Sequence, residues 1–297
     1  MVITCNDLSF QYSRKTEFAT YALKGVSLTI DSGEFFGIIG HTGSGKSTFI
    51  RHLNALVSVQ EGSLLVGDID LSPDKKGKKK KGKAYKKKLK ELRQTVGMVF
   101  QYPEQQLFAE TVFEDVAFGF KNFNDKASEG MVELAVKNAI EMVGLNYLEV
   151  KDKSPFELSG GQKRRVAIAG VLATKPSVLV LDEPCAGLDP VGKTELWRLL
   201  HHLHKNTVKT IIVVSHDMND VAKHCTKVAM FGEGALKKVA TPRELFDDTA
   251  LIKESGLEVP VTAFITKELE KVGVKLDTDY TDDNFIEQVV KLYKNKG

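Results

Sequence analysis

Gly40-His41-Thr42-Gly43-Ser44-Gly45-Lys46-Ser47-Thr48 packs three glycines, a lysine and several hydroxyls into nine residues. Glycines let the backbone turn tightly, and N–H groups at a helix start cradle an anion. In such a loop Lys46 reaches the β- and γ-phosphates of a nucleoside triphosphate, and the Ser47 hydroxyl sits on Mg²⁺. Far along the chain come two adjacent carboxylates, Asp182 and Glu183. Asp182 is placed to hold Mg²⁺, directly or through water, and Glu183 to orient and deprotonate an attacking water. A second glycine-rich stretch, Leu158-Ser159-Gly160-Gly161-Gln162, lies between them. It offers N–H groups, the Ser159 hydroxyl and a helix's positive end to another anion.

These residues need rigid elements behind them. Glu34–Ile39 is a short apolar run that predicts a buried strand, and Lys46–Leu56 reads as the helix after the loop. Val178–Leu181 predicts a second buried strand, with both carboxylates at its C-terminal end, where ligands bind in open α/β sheets. Ile211–Val214 predicts a third, followed by Ser215-His216-Asp217. A lone histidine is usually structural; one that ends a core strand beside phosphate chemistry is a candidate sensor.

In these motifs the chain resembles the ATP-binding-cassette (ABC) ATPases over nearly its first 240 residues. The resemblance implies an α/β P-loop core with an antiparallel β-subdomain, an inserted helical subdomain and a short C-terminal helical extension. The expected boundaries are 1–240 for the nucleotide-binding domain, about 101–170 for the helical subdomain and 241–297 for the extension. Ser159, Gly160, Gly161 and Gln162 match the signature loop, which in the family meets the γ-phosphate held by the opposite subunit. Two chains then sandwich two ATPs head to tail. Gln101 matches the glutamine loop, implied to link Mg²⁺ and water to a membrane partner. Asp189, in Ala186-Gly187-Leu188-Asp189-Pro190, matches the loop that crosses the dimer interface, and His216 the switch histidine. Tyr12 matches the aromatic that stacks on adenine, although Phe10, Phe18 and Tyr21 are near it in sequence.

The segment Gln101-Tyr102-Pro103-Glu104-Gln105-Gln106-Leu107-Phe108, with Asp115-Val116-Ala117-Phe118-Gly119, narrows the resemblance to energy-coupling factor (ECF) transporter ATPases. His41-Thr42 is similar to the second of their two ATPase paralogues. Phe120 stands where the group commonly has proline, which bears on the local turn. The implied activity is ATP hydrolysis driving uptake of vitamins or transition-metal ions in prokaryotes. The implied partners are a second ABC ATPase, as homodimer or paralogous heterodimer, a polytopic membrane coupling subunit and a separate membrane substrate-binding subunit. The implied place is the cytoplasmic face of the cell membrane. Leu107, Phe108, Val112 and Phe113 are read as exposed apolar side chains covered by the coupling subunit. The alternatives are an ATPase of another ABC transporter, or a soluble ABC protein acting on ribosomes or DNA. One cassette without heptads weighs against the last.

Composition adds bounds. The chain has 297 residues, no apolar stretch of transmembrane length and no signal-peptide pattern at Met1–Asp7. Cys5, Cys185 and Cys225 lack metal-ligand spacing and suit a reducing compartment. Cys185, where the ABC family usually has threonine, reads as a small residue filling that site, with redox control as the alternative. The net charge is +3, yet eleven lysines lie between Lys75 and Lys90 with no carboxylate among them. Removing their charge leaves −8 on the rest. This tract, spanning an insertion at 72–91, is expected to be disordered and solvated. Contact with anionic lipid is a second reading. Nucleic acid is not expected, since Tyr85 is the one aromatic interleaved with the lysines. Beyond Gly232, Thr241-Pro242 predicts a helix start, and Val261–Val272 and Thr281–Tyr293 carry apolar residues at helical spacing. This tail is expected to pack on the body or on a second ATPase.

Overall fold

A computed structural model describes residues 1–14, 16–74 and 82–294. Among the described residues ten strands run β1 Ile3–Tyr12, β2 Thr20–Ile30, β3 Phe35–Ile39, β4 Glu61–Val66, β5 Ile69–Asp70, β6 Val96–Val99, β7 Val178–Asp182, β8 Thr210–Val214, β9 Lys227–Gly232 and β10 Ala235–Ala240. The first helices are α1 Lys46–Leu53, α2 Lys83–Thr95, α3 Val112–Phe123, α4 Glu129–Met142, α5 Tyr147–Val150 and α6 Gly160–Leu172. They are followed by α7 Pro190–Asn206, α8 Met218–His224, α9 Pro242–Asp247, α10 Thr249–Glu254, α11 Val261–Lys271 and α12 Asp282–Lys294.

The strands form two sheets. An antiparallel one is ordered β2-β1-β4-β5, and a mixed one β10-β9-β3-β8-β7-β6. In the second sheet β9, β3, β8, β7 and β6 are parallel. These five strands are largely buried on both faces, which explains their apolar runs. Side-chain alternation divides them between two cores. Phe35, Leu179, Leu181, Ile211 and Val213 face the helices α3, α4, α6 and α7. Phe36, Ile38, Val178, Val180, Ile212 and Val214 face α1 and the antiparallel sheet. The three strands that end in site residues, β3, β7 and β8, are neighbours, so their C-terminal ends share one edge.

Several expectations change. The helix after the glycine loop ends at Leu53, not Leu56, because Ala55 takes a left-handed φ of 55°. The expected disordered insertion holds a helix in its second half: α2 starts at Lys83 and buries Leu92. Residues 75–81 of the tract lie outside the described ones. Leu107 and Val112 are core residues, Phe113 is half-buried, and only Phe108 of that set is exposed (61%). They fill the helical layer because α3 turns its Val112/Val116 face inward against α6. Phe120 lies inside α3, so no turn forms there. The tail divides: Leu245, Phe246, Ile252, Ala263 and Tyr280 join a third cluster with β9 and α8, whereas α12 buries none of its residues.

Candidate nucleotide site

The loop from β3 to α1 is shaped by glycine. Gly40 has φ 147°, and a Cβ there would stand 2.3 Å from the Phe231 carbonyl. Gly45 has φ 102°, with the Ala22 carbonyl 2.4 Å from a Cβ. Both positions exclude any other residue. Gly43, also at positive φ (83°), faces open space instead, leaving room for a ligand to approach the backbone. Gly45 supplies no side-chain cap to α1, so the first N–H groups of that helix stay available to an anion.

Lys46 lies across this loop. Its Nζ donates to the carbonyls of Gly40 (2.6 Å) and His41 (3.0 Å), and the residue is 7% exposed. Burial pulls its pKa below the ordinary lysine value, against the opposing pull of Glu183 and Asp182. The ammonium is thus held by two neutral carbonyls that an incoming polyphosphate can outbid. His41 Nδ1 bonds the Thr42 carbonyl at 2.8 Å, which keeps its ring on the loop. Ser44 Oγ is buried without a partner among the described residues. Tyr12 OH meets Thr48 Oγ1 at 3.3 Å, which ties that aromatic to the first turn of α1. Phe10 is buried edge-on against Tyr12 and has no free face; Phe18 and Tyr21 are exposed.

At the C-terminal end of β7, burial raises the pKa of Asp182, and a hydrogen bond from Ser47 works against that rise. Glu183 follows at φ 47°, a conformation that costs a non-glycine residue energy and here turns the carboxylate toward the loop. Its N–H is fixed to the Val214 carbonyl at 3.0 Å. One oxygen, Oε2, accepts from Gln101 Nε2 at 3.1 Å and lies 3.6 Å from His216 Nδ1. Three residues widely separated in sequence therefore meet at a single carboxylate oxygen.

The signature loop is different. Ser159 caps α6: Ser159 Oγ accepts from the Gln162 N–H (3.3 Å), and the Ser159 N–H donates to Gln162 Oε1 (3.0 Å). Ser159, Gly160 and Gly161 are exposed, and a Cβ on either glycine would meet nothing within 4 Å. Asp189 caps α7 through the Gly192 N–H at 2.7 Å.

Two residues that the motifs did not single out stand beside these. Arg164, 6% exposed, grips both carboxylate oxygens of Glu104 (2.9 and 2.8 Å) and donates to the carbonyls of Pro184 and Ala186, each at 3.0 Å. It joins the signature helix, the glutamine segment and the turn after Glu183. Burial alone would raise the Glu104 pKa, but the Arg164 hydrogen bonds and charge outweigh it and hold that carboxyl below its ordinary value. Lys193 bridges Asp217 (2.5 Å) and Asp220 (3.0 Å). Glu183, Cys185, Lys193, Trp197 and His216 all line a cavity of about 240 Å³. Burial pushes the Cys185 thiol up to about 12, which keeps it a neutral space-filler and disfavours redox control. Trp197 stacks on His224 with centroids 4.1 Å apart.

The residues present fit a nucleoside triphosphate. The loop offers open N–H groups, an unpartnered hydroxyl and a displaceable ammonium, and a carboxylate suited to water activation faces it. Together with the sheet order, this defines an ATP-binding cassette. The family described as ABC transporter matches residues 23–186. An energy-coupling factor transporter ATP-binding protein EcfA2 from Caldanaerobacter subterraneus subsp. tengcongensis is 46% identical over 94% of this chain and 93% of its own length. The one from Clostridium tetani is 43% identical over 100% and 99%. The solved cbiO1 of Clostridium perfringens, part of the ABC transporter complex cbiONQ, is 35% identical with a TM-score of 0.70, covering 89% of this chain and 98% of that one. The cassette MJ0796, a dimer bound to ADP and Pi, is 28% identical with a TM-score of 0.68, over 81% and 99%. The chain belongs to the ATP-binding proteins of energy-coupling factor transporters, ABC ATPases that bind nucleotide and hydrolyse ATP. Among the described residues no helix is long and apolar enough to cross a membrane.

Proposed function

We propose that this ATPase energises import of a vitamin or transition-metal ion. It would work peripherally on the cytoplasmic face of a prokaryotic membrane, with a second ATPase, a polytopic coupling subunit and a separate substrate-binding subunit. One observation carries the coupling: Gln101 donates to the same Glu183 oxygen that faces His216. Just after Gln101, the segment through Phe108 lines a groove of about 260 Å³ with Met98, Phe118 and Gly170. A membrane helix seated there would shift Gln101, and through it the base.

Ser47, close enough to Asp182 to work against the rise in its pKa, would hold Mg²⁺ together with Asp182 and Gln101. When bound, the ion neutralises charge building on the phosphates. Glu183 takes the proton from the attacking water, and His216 and Gln101 orient that carboxylate. Tyr12 stacks on the base. The exposed Ser159–Gln162 helix start serves ATP held by the opposite subunit: among the described residues nothing approaches its two glycines. Purification of the native complex from detergent extract, with mass identification, tests this reading. A polytopic membrane protein and a second ATPase are expected; ribosomal proteins or DNA instead would overturn it.

A further inference from the structure

Helix α2 has two unlike faces. Tyr85, Leu89 and Leu92 fall on one side at helical spacing; Leu92 is buried and Leu89 partly buried in the core under the antiparallel sheet. Lys83, Lys86, Lys87 and Lys90 fall on the other. Lys83, Lys86, Lys87 and Lys88 are exposed. Lys87 approaches only Glu91 of its own helix, at 3.9 Å. Among the described residues Lys83, Lys86 and Lys88 meet no carboxylate within ion-pair distance. The one basic residue with a planar fork, Arg93, is committed to the carbonyls of Asn54 and Ala55 (3.4 and 3.2 Å).

The position of this stripe matters as much as its charge. Lys90 bonds Asp125 at 2.9 Å, just past the end of α3. One to two turns earlier, α3 contributes Phe118 and Gly119 to the groove assigned above to the membrane subunit. The basic face is therefore anchored, through Lys90, at the end of the helix that lines that groove. We propose that the lysine face of α2 docks on an anionic lipid surface next to the coupling subunit, an inference that rests on the groove reading.

The chemistry favours lipid over nucleic acid. Lysine ammonium groups are compact, strongly hydrated point charges that need no defined geometry, which suits a fluid layer of headgroups. Single-stranded nucleic acid recognition wants aromatic platforms, and α2 carries one aromatic, Tyr85, half-buried.

The test uses the purified full-length chain with phosphatidylcholine vesicles, with and without phosphatidylglycerol. Binding only to the anionic vesicles is expected, falling as salt is raised. The triple variant Lys83→Gln/Lys86→Gln/Lys87→Gln should lose about fivefold in partitioning per lysine, on the order of a hundredfold in all. Its thermal unfolding and basal ATP hydrolysis should stay those of the wild type, and the Lys→Arg triple variant should bind vesicles normally. Equal vesicle binding by wild type and the Gln variant overturns the proposal. So does a Gln variant that loses affinity for single-stranded RNA while keeping it for vesicles. Because no membrane subunit is present, failure here leaves copurification of the complex untouched. Conversely, a missing partner with vesicle binding intact refutes only the groove reading.

Discussion

The phosphate loop and the signature loop are both glycine-rich starts of helices, yet the molecule treats them in opposite ways. In the first, Gly40 and Gly45 are forced by positive φ and by carbonyls that leave no room for a Cβ. Lys46 is bonded within the chain, and Glu183 is held from two sides. In the second, Gly160 and Gly161 have helical backbones and empty surroundings, and the side chains of Ser159 and Gln162 each bond the other's backbone N–H. The first loop is built for a ligand its own chain completes. The second carries a cost in helix propensity, at most about 1 kcal/mol per glycine, that no contact among the described residues offsets. Arg164 ties the two together, since it projects from the signature helix to the turn after Glu183.

The largest effect should fall in the self-contained half. Glu183→Gln keeps the shape of the side chain and removes its basicity, so phosphate release should drop by about 10²–10⁴-fold. Nucleotide binding, followed by a fluorescent ATP analogue, should survive. Turnover at the wild-type rate would mean that the base is elsewhere, and the contrast would lose one side.

Cutting the tie should cost stability first. Arg164→Ala strands the half-buried Glu104 and two carbonyls, for about 3 kcal/mol by calorimetry or denaturant titration. The pH dependence checks the cause. The folded pKa of Glu104 is depressed, so its contribution is complete above the unfolded value of about 4.5 and fades as pH falls through the folded one. Wild type should therefore lose stability on acidification below about pH 4.5, and Arg164→Ala should lose less. Parallel curves would remove Arg164 from that role.

Gly161→Ala makes the smallest change and the sharpest test of the comparison. Within the chain the methyl meets nothing, so thermal stability should hold or rise by up to about 1 kcal/mol. Hydrolysis should nonetheless fall while ATP loading stays intact, because the crowding would come from the ATP of an opposite subunit. Unchanged hydrolysis would mean that no ligand approaches Gly161 closely.

Local pattern carried much of this. The buried strands were legible because a parallel strand covered on both faces is apolar without alternation, and the glycine loop because its backbone admits no other residue. Gln101, Glu183 and His216 could be named from motifs, but not their meeting at one oxygen, which depends on the lateral order of β3, β8, β7 and β6. Arg164 was hidden in the run Lys163-Arg164-Arg165: which of three cations turns inward depends on the rotation of α6 against a glutamate sixty residues away. Leu107 and Val112 looked exposed because their cover comes from other helices. In the lysine tract, Tyr85, Leu89 and Leu92 stand at helical spacing, and from Lys83 on that face outweighs the like-charge repulsion which alone predicts disorder.

Trp197 is the sole tryptophan of the chain. It is buried at the cavity it shares with Glu183 and His216 and is stacked on an imidazole. Indole emission responds to solvent access and to a neighbouring ring's approach. The protein thus carries its own optical label, and rearrangement of the catalytic corner during a turnover can be followed as intrinsic fluorescence with no dye attached.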